Sequence, residues 1–167
     1  VLSVLLTALT AYPLSKKELP FHNAITNFIM FTMLFSGGMI PSYLLVKDLH
    51  LLNTIWALIL PGLLGAYNIF IMRNFFKSIP QSLEESARMD GANWFYIWWK
   101  IILPLAKPVI ATVTLWILVG HWNAWFDATI YITDPDKTVM QVVLRKIAIE
   151  NSASDMNAII AKMQGGA

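Results

Sequence analysis

The sequence has no cysteine, and only 13% of its 167 residues are charged. The first absence excludes a disulfide framework and any cysteine-held metal. The second sets the chain apart from soluble domains, which carry about 25% charged residues; here 57% of residues are hydrophobic. Water is a poor solvent for most of such a surface. The net charge of +2 is small and no basic stripe alternates with aromatics, so nucleic acid is not an expected partner. The phosphate-loop pattern Gly-x-x-x-x-Gly-Lys-Ser/Thr, the His-Glu-x-x-His pattern and the Gly-x-Ser-x-Gly elbow are all missing. His22, His50 and His121 have no metal-ligand spacing, and no metal site is expected. The chain opens on apolar residues with no charged region before them, so no signal peptide is visible. It reads as a chain truncated at both ends.

What is abundant is long uncharged sequence. No Asp, Glu, Lys or Arg occurs from Phe21 to Val46, from Leu49 to Met72, or from Pro108 to Phe126. A membrane-crossing helix needs about 20 mostly apolar residues. Spans are expected over 24–40, 54–72 and 105–126, with a partial span at 1–12 that Pro13, Lys16 and Lys17 end. Pro61, Gly62 and Gly65 inside the second span are tolerable, because neighbouring helices can satisfy freed backbone groups. The 7 Trp, 9 Phe and 5 Tyr suit membrane interfaces. The fold class is an all-α polytopic transmembrane bundle forming one domain, 1–167. Ser42 to Leu52 reads as an interfacial segment. In 127–167, Asp134-Pro135-Asp136 signals a turn. Beyond it, Val139, Val142, Val143 and Ile147 suit an amphipathic helix over Thr138 to Glu150, and Gly165-Gly166 a terminal loop.

Loop charge orients these spans. One set of loops holds Lys16, Lys17, Arg73, Lys77, Arg88, Lys100 and Lys107; the other holds Lys47, Lys137, Arg145, Lys146 and Lys162. The richer set faces the cytoplasm, which places the loop 77–104 inside and the segment 127–167 outside.

The loop 77–104 is the best punctuated part of the chain. Ser82-Leu83-Glu84-Glu85 has capping-box spacing, with Ser82 as N-cap and Glu85 reaching back to its N–H. Arg88 lies four residues after Glu84 and can pair with it. Gly91 supplies the left-handed residue that ends a helix, so Ser82 to Asp90 is expected to be helical. Asn93 caps a second helix, Trp94 to Leu103, and Pro104 suits the first turn of the next one. Trp94, Trp98 and Trp99 read as interface anchors. Any cytoplasmic loop can fold into two small helices, so punctuation alone does not assign a role.

Glu85-Ser86-Ala87, then Asp90-Gly91-Ala92, then Ile101 and Leu103-Pro104 resemble the EAA signature of binding-protein-dependent ABC transporter permeases. Ser86 departs from the usual Ala but is small. Stretches such as Ala11-Tyr12-Pro13-Leu14-Ser15, Ile40-Pro41-Ser42-Tyr43-Leu44-Leu45 and His121-Trp122-Asn123 are similar to the carbohydrate branch, especially permeases for oligosaccharides. The resemblance implies a fragment of a six-helix permease subunit of a bacterial ABC importer, multi-pass in the cytoplasmic (inner) membrane. It implies a second homologous permease subunit as heterodimer partner, a dimeric ABC ATPase that binds ATP and Mg, an extracytoplasmic solute-binding protein and surrounding lipid. The chain itself would be no enzyme and hold no cofactor. Ser82, Glu84, Glu85, Ala87, Arg88, Asp90, Gly91, Ala92, Ile101, Leu103 and Pro104 would form the ATPase-coupling loop. Leu83, Ala87 and Ala92 would permit close approach. Glu84, Glu85, Arg88 and Asp90 would pair with charges on the partner, Glu85 with a basic one.

His121, Trp122, Asn123 and Trp125 suit sugar stacking and hydrogen bonding, and equally an outer aromatic belt. Asn68, a polar residue inside an uncharged run, is a further candidate for the substrate path. Three other readings stay open: a permease for peptides or other polar solutes, a membrane scaffold without a transport role, and a membrane-embedded enzyme. The last is disfavoured because Glu84 and Glu85, adjacent on a helix, point about 100° apart.

Overall fold

The computed structural model describes residues 1–149, and all regular structure among them is helical. In chain order the helices are α1 (Leu2–Ser15), α2 (His22–Leu34), α3 (Met39–Asp48), α4 (Trp56–Ile59), α5 (Ala66–Ser78) and α6 (Gln81–Met89). There follow α7 (Trp94–Ile97), a π-turn (Trp98–Ile102), α8 (Leu103–Leu105), α9 (Lys107–Trp122), α10 (Trp125–Tyr131) and a 3₁₀ turn (Pro135–Lys137). Residues 140–149 are again helical, labelled α11. The expected amphipathic helix begins here; Glu150, Lys162 and the Gly165-Gly166 end lie outside the described residues.

The uncharged runs do not become unbroken rods. The run expected to span 24–40 ends at Leu34, where Phe35 turns extended. A new helix follows with Pro41 in its first turn, where a missing N–H costs nothing; it also takes in much of the expected interfacial segment. The run 54–72 divides into α4 and α5, and Pro61 and Gly62 stand in the break. Helix α5 continues to Ser78, past the expected end. The run 105–126 is α9, then a break at Asn123, then the start of α10. No single helix among the described residues is long and apolar enough to cross a membrane. Two pairs pass by length and composition together: α2 with α3, and Trp94–Leu105 with α9, the latter bent by 79°.

The described residues gather into two compact units, 1–42 with 59–119 and 43–58 with those from 120 onward. In the first, α1 turns Val4, Ala8, Ala11 and Tyr12 inward, a three-to-four residue spacing. Ala8, Ala11 and Tyr12 share a core with Ile69, Met72 and Phe76 of α5 and with Ile97, Ile102, Val109 and Val113. Small side chains let backbones approach closely, which is what holds helices together where lipid removes the hydrophobic drive. Thr7 and Thr10 return their hydroxyls to the carbonyls of Ser3 and Leu6, at 2.7 and 2.8 Å, so these polar groups need no water. Outward, Leu2, Leu5, Leu9, Phe28, Leu34 and Leu115 are each more than 40% exposed.

The second unit packs Val46, Ala57 and Tyr131, with Tyr43 stacked on Tyr131 at 6.3 Å. Burial, then the charge of Asp127, raises the Tyr131 phenol above its ordinary range. Asn53 closes the unit. Its φ of 58° is left-handed, a region Asn enters more readily than most residues. Its Oδ1 accepts from Thr133 N at 2.7 Å, Thr133 Oγ1 at 3.0 Å and Asp134 N at 3.1 Å. Asp136 N in turn donates to Asp134 Oδ1 at 3.1 Å, the turn expected at Asp134-Pro135-Asp136.

Asn53→Ala removes the shared acceptor and leaves a left-handed Ala, and is expected to cost about 2 kcal/mol. Asn53→Asp keeps the acceptor and is expected to cost less than half of that. Thermal unfolding in detergent checks the order; equal losses would show that the acceptor is not what holds the loop.

Candidate functional site

Helix α6 begins directly behind Pro80, its N-cap residue, and no side chain caps it. Ser82 therefore lies inside the first turn rather than ahead of it, and the expected capping box is absent. Glu85 instead accepts from Gln81 Nε2 at 2.9 Å, one turn back. The far end is as expected. Gly91 has φ +84°, Gly91 N donates to Arg88 O and Ala92 N to Ala87 O, both at 3.0 Å. This is the paired bond pattern of a Schellman ending. An added Cβ on Gly91 would meet nothing within 4 Å, so backbone conformation alone calls for glycine there.

Asn93 caps the next helix, accepting from Tyr96 N at 2.8 Å. The run beyond it is helical to Leu105 but widens at Trp98–Ile102, where Leu103 N reaches back to Trp98 O. Pro104 has no N–H to give to Lys100 O, and a wide turn just ahead of it takes up the mismatch. Ile101 and Leu103 are half-buried against the core, and Pro104 is exposed. Trp98 is buried rather than an interface anchor: it packs in the core beside Phe95 at 5.7 Å and Trp99 at 5.8 Å. Trp94 and Trp99 remain exposed.

Glu84 is the largest departure from expectation. It is 3% exposed, so it is not available to a partner's charges, nor does it pair with Arg88. Lys16 forms an ion pair with Glu84 Oε1, and Tyr12 Oη donates to Oε2 at 3.1 Å. The Arg88 guanidinium lies over the Trp94 ring, 4.6 Å from its centroid. A carboxylate removed from water needs such charge-assisted bonds. The Lys16 side chain keeps 25% exposure, so losing the pair costs about 2 kcal/mol, less than for a fully buried one. From the other side, Arg73 of α5 donates from Nε to Leu14 O at 2.8 Å, satisfying a carbonyl in the last turn of α1. Lys77 is held below the usual lysine range, first by loss of solvent, then by the charges of Arg73 and Lys17. A cleft of about 430 Å³ beside the Glu84 node is lined by Lys16, Lys17, Lys77, Glu84, Glu85 and Arg88.

With Glu84 inward and Ala87 half-buried on the core, the opposite face of α6 carries Ser82, Glu85, Ser86 and Met89, all exposed. These positions are spaced by three and four residues and share one face. Met89 is 88% exposed, an apolar tip beside the exposed Asp90 and Gly91. Its signal was present in sequence as a lone apolar residue on a polar face. The Tyr12 and Lys16 partnership had no sequence signal, because the residues lie 72 and 68 positions from Glu84.

The candidate substrate-path residues fall in different units. Asn68 belongs to the first and is partly buried, its side chain folded over Gly65, where an added Cβ would stand 3.3 Å from Nδ2. His121, Trp122, Asn123 and Trp125 belong to the second. His121, Trp122 and Asn123 are exposed at the end of α9. Trp125 has one ring face covered by the Arg145 guanidinium, 3.4 Å from its centroid.

Residues 3–161 match the model of the binding-protein-dependent transport system inner membrane component family, and the chain belongs to that family. Among its relatives, the protein LplC of Bacillus subtilis is 50% identical over 148 residues, covering 89% of this chain and 49% of its own. The polygalacturonan/rhamnogalacturonan transport system permease protein YtcP of the same organism is 46% identical over 164 residues, covering 98% and 57%. A solved bacterial ABC transporter involved in the import of the acidic polysaccharide alginate has a chain that superposes with TM-score 0.83 at 42% identity. The match covers 86% of this chain and 51% of that one. This chain thus spans about half the length of the relatives it matches.

Because Gly91 has open space around it, substitutions there are expected to rank by backbone preference, not size. Gly91→Asn should lose less than 1 kcal/mol and Gly91→Val about 2 kcal/mol. Thermal unfolding of the detergent-solubilised protein checks this; Val and Asn costing the same would remove φ as the reason for glycine.

Proposed function

We propose that this chain is part of a permease subunit of an ABC importer that carries an oligosaccharide across a bacterial cytoplasmic membrane. One observation carries the reading: in a chain of this family, α6 displays a polar face with an apolar tip between two backbone-defined corners. The corner at Gly91 is set by the Schellman ending and the corner at Pro80 by its fixed φ. A short helix held at both ends can pass on a push as a rigid body. Glu85, Ser86 and Met89 are free to meet another protein, and Met adapts well to such surfaces.

ATP and Mg bind on a partner ATPase in this reading, consistent with the absence of a phosphate loop from the sequence. A second permease subunit and a solute-binding protein complete the assembly. The broken helices and the many outward apolar side chains suit a bundle bordered by lipid and further helices, because irregular backbone is tolerable at membrane depth where protein surrounds it. The carbohydrate assignment draws on the relatives named for polygalacturonan/rhamnogalacturonan transport and for alginate import. His121, Trp122 and Asn123 are the groups proposed to meet the sugar. Trp125, with Arg145 on one ring face, is better suited to bracing them.

A cysteine in place of Glu85 or Met89 is expected to cross-link to the ATPase in the assembled transporter. Glu85→Lys is expected to lower solute uptake at least about tenfold, equivalent to 1.4 kcal/mol of lost coupling. Reconstituted uptake and gel analysis measure both. Absence of any cross-link, with uptake intact in the lysine variant, would end the proposal.

A further inference from the structure

We infer that Glu84 is a positioning residue that locks the coupling helix to the end of α1, so that a push on α6 reaches α1 directly as well as through the neighbouring helices. The inference rests on the coupling role proposed for α6 and goes beyond it by assigning Glu84 an intrachain task.

Helix α6 has two covalent exits. One leads back through Ile79 to α5, the other through Gly91 and Asn93 to the helical run that ends at Leu105 and continues into α9. Both exits lead to elements that share the α1 core, through Met72 and Phe76 on one side and Ile97 and Ile102 on the other. From α6 itself the direct connection to α1 is made by side chains, and Glu84 supplies its polar part: Oε1 pairs with Lys16 and Oε2 accepts from Tyr12 Oη at 3.1 Å. Each carboxylate oxygen is thus committed to a different donor on α1 or its cap. Lys16 is the C-cap residue of α1, and its ammonium also lies 5.1 Å from the Tyr12 ring centroid. Tyr12 in turn meets Phe76 of α5 edge-on at 6.1 Å.

The surrounding charges make this pairing selective. Lys17, Arg73 and Lys77 stand near the same end of α1 and α5, and Glu85 and Arg88 line the same cleft. Arg88 is placed over Trp94 and Arg73 is engaged with Leu14 O and His22 Nε2. Lys16 therefore has Glu84 as its buried carboxylate. A two-point anchorage resists both sliding and rolling of α6 on α1, which a purely apolar contact would permit.

The test uses the reconstituted transporter with its ATPase and binding protein, and a single cysteine at Met89 to report contact with the ATPase. Three variants are compared: Glu84→Gln, Lys16→Met, and the exchange Glu84→Lys with Lys16→Glu. The expected result is that the Met89 cross-link persists in all three and ATPase turnover is kept. Solute moved per ATP is expected to fall at least fivefold in both single variants and recover by half or more in the exchange. A ratio that stays within twofold of the parent in the single variants, with the cross-link present, overturns the inference and leaves the coupling role intact. A cysteine at Glu84 that cross-links to the ATPase as well as one at Glu85 overturns it too, since the side chain would then face outward. Absence of the Met89 cross-link in the parent removes the coupling role and this inference with it. Misfolding would deplete assembled complex in the single variants and leave the exchange unrescued, a pattern that also counts against a positioning role.

Discussion

A carboxylate hidden from water must be met by donors inside the protein, and in this chain that constraint falls on Glu84. The loop that contains it is short, polar and exposed on its other faces. Burying one acid there draws Lys16 and Tyr12 to it and fixes which side of α6 looks inward. The outward face then follows from helical geometry, without any further device. The same node sets the end of α1 against α5, which Arg73 reinforces from its own side through a backbone carbonyl.

Much of this was legible in advance, for identifiable reasons. Gly91 and Asn93 act through local backbone chemistry, and local chemistry is written in consecutive residues; both behave as their positions imply. The helical class followed from uncharged runs. The helix breaks did not, since an apolar run carries no information on where Pro and Gly interrupt the helix and where they are absorbed. Pro41 begins a helix, Pro61 lies in a break, and Pro13 sits inside the last turn of α1. The capping box at Ser82 failed because Pro80 starts the helix sooner than the capping pattern suggests. Glu84 was assigned outward because sequence shows its neighbours on the helix and hides the side chains that arrive from α1.

The two units differ in what holds them. The first relies on small residues of α1 against α5 and on aliphatic side chains around Ile97 and Ile102. The second has a small apolar cluster and a hydrogen-bonded loop, where one amide oxygen at Asn53 serves three donors. Trp125 and Arg145 add a cation on an aromatic face. Close packing holds the one, and polar bonding in a partly exposed loop adds to a small apolar cluster in the other.

The wide turn at Trp98–Ile102 carries a consequence for chain length. Ile97 and Ile102 are both buried though five positions separate them, a spacing that a regular helix would place on different sides. Below the turn, Ala106, Val109 and Val113 return to steps of three and four. One additional residue has been accommodated without bulging out of the helix, and it rotates everything before it relative to everything after. An ordinary ladder over the same residues would set Ile97 about 140° from Ile102 and swing it away from the core. The count of residues in that stretch is thus as much a specification of where the loop points as the side chains it contains.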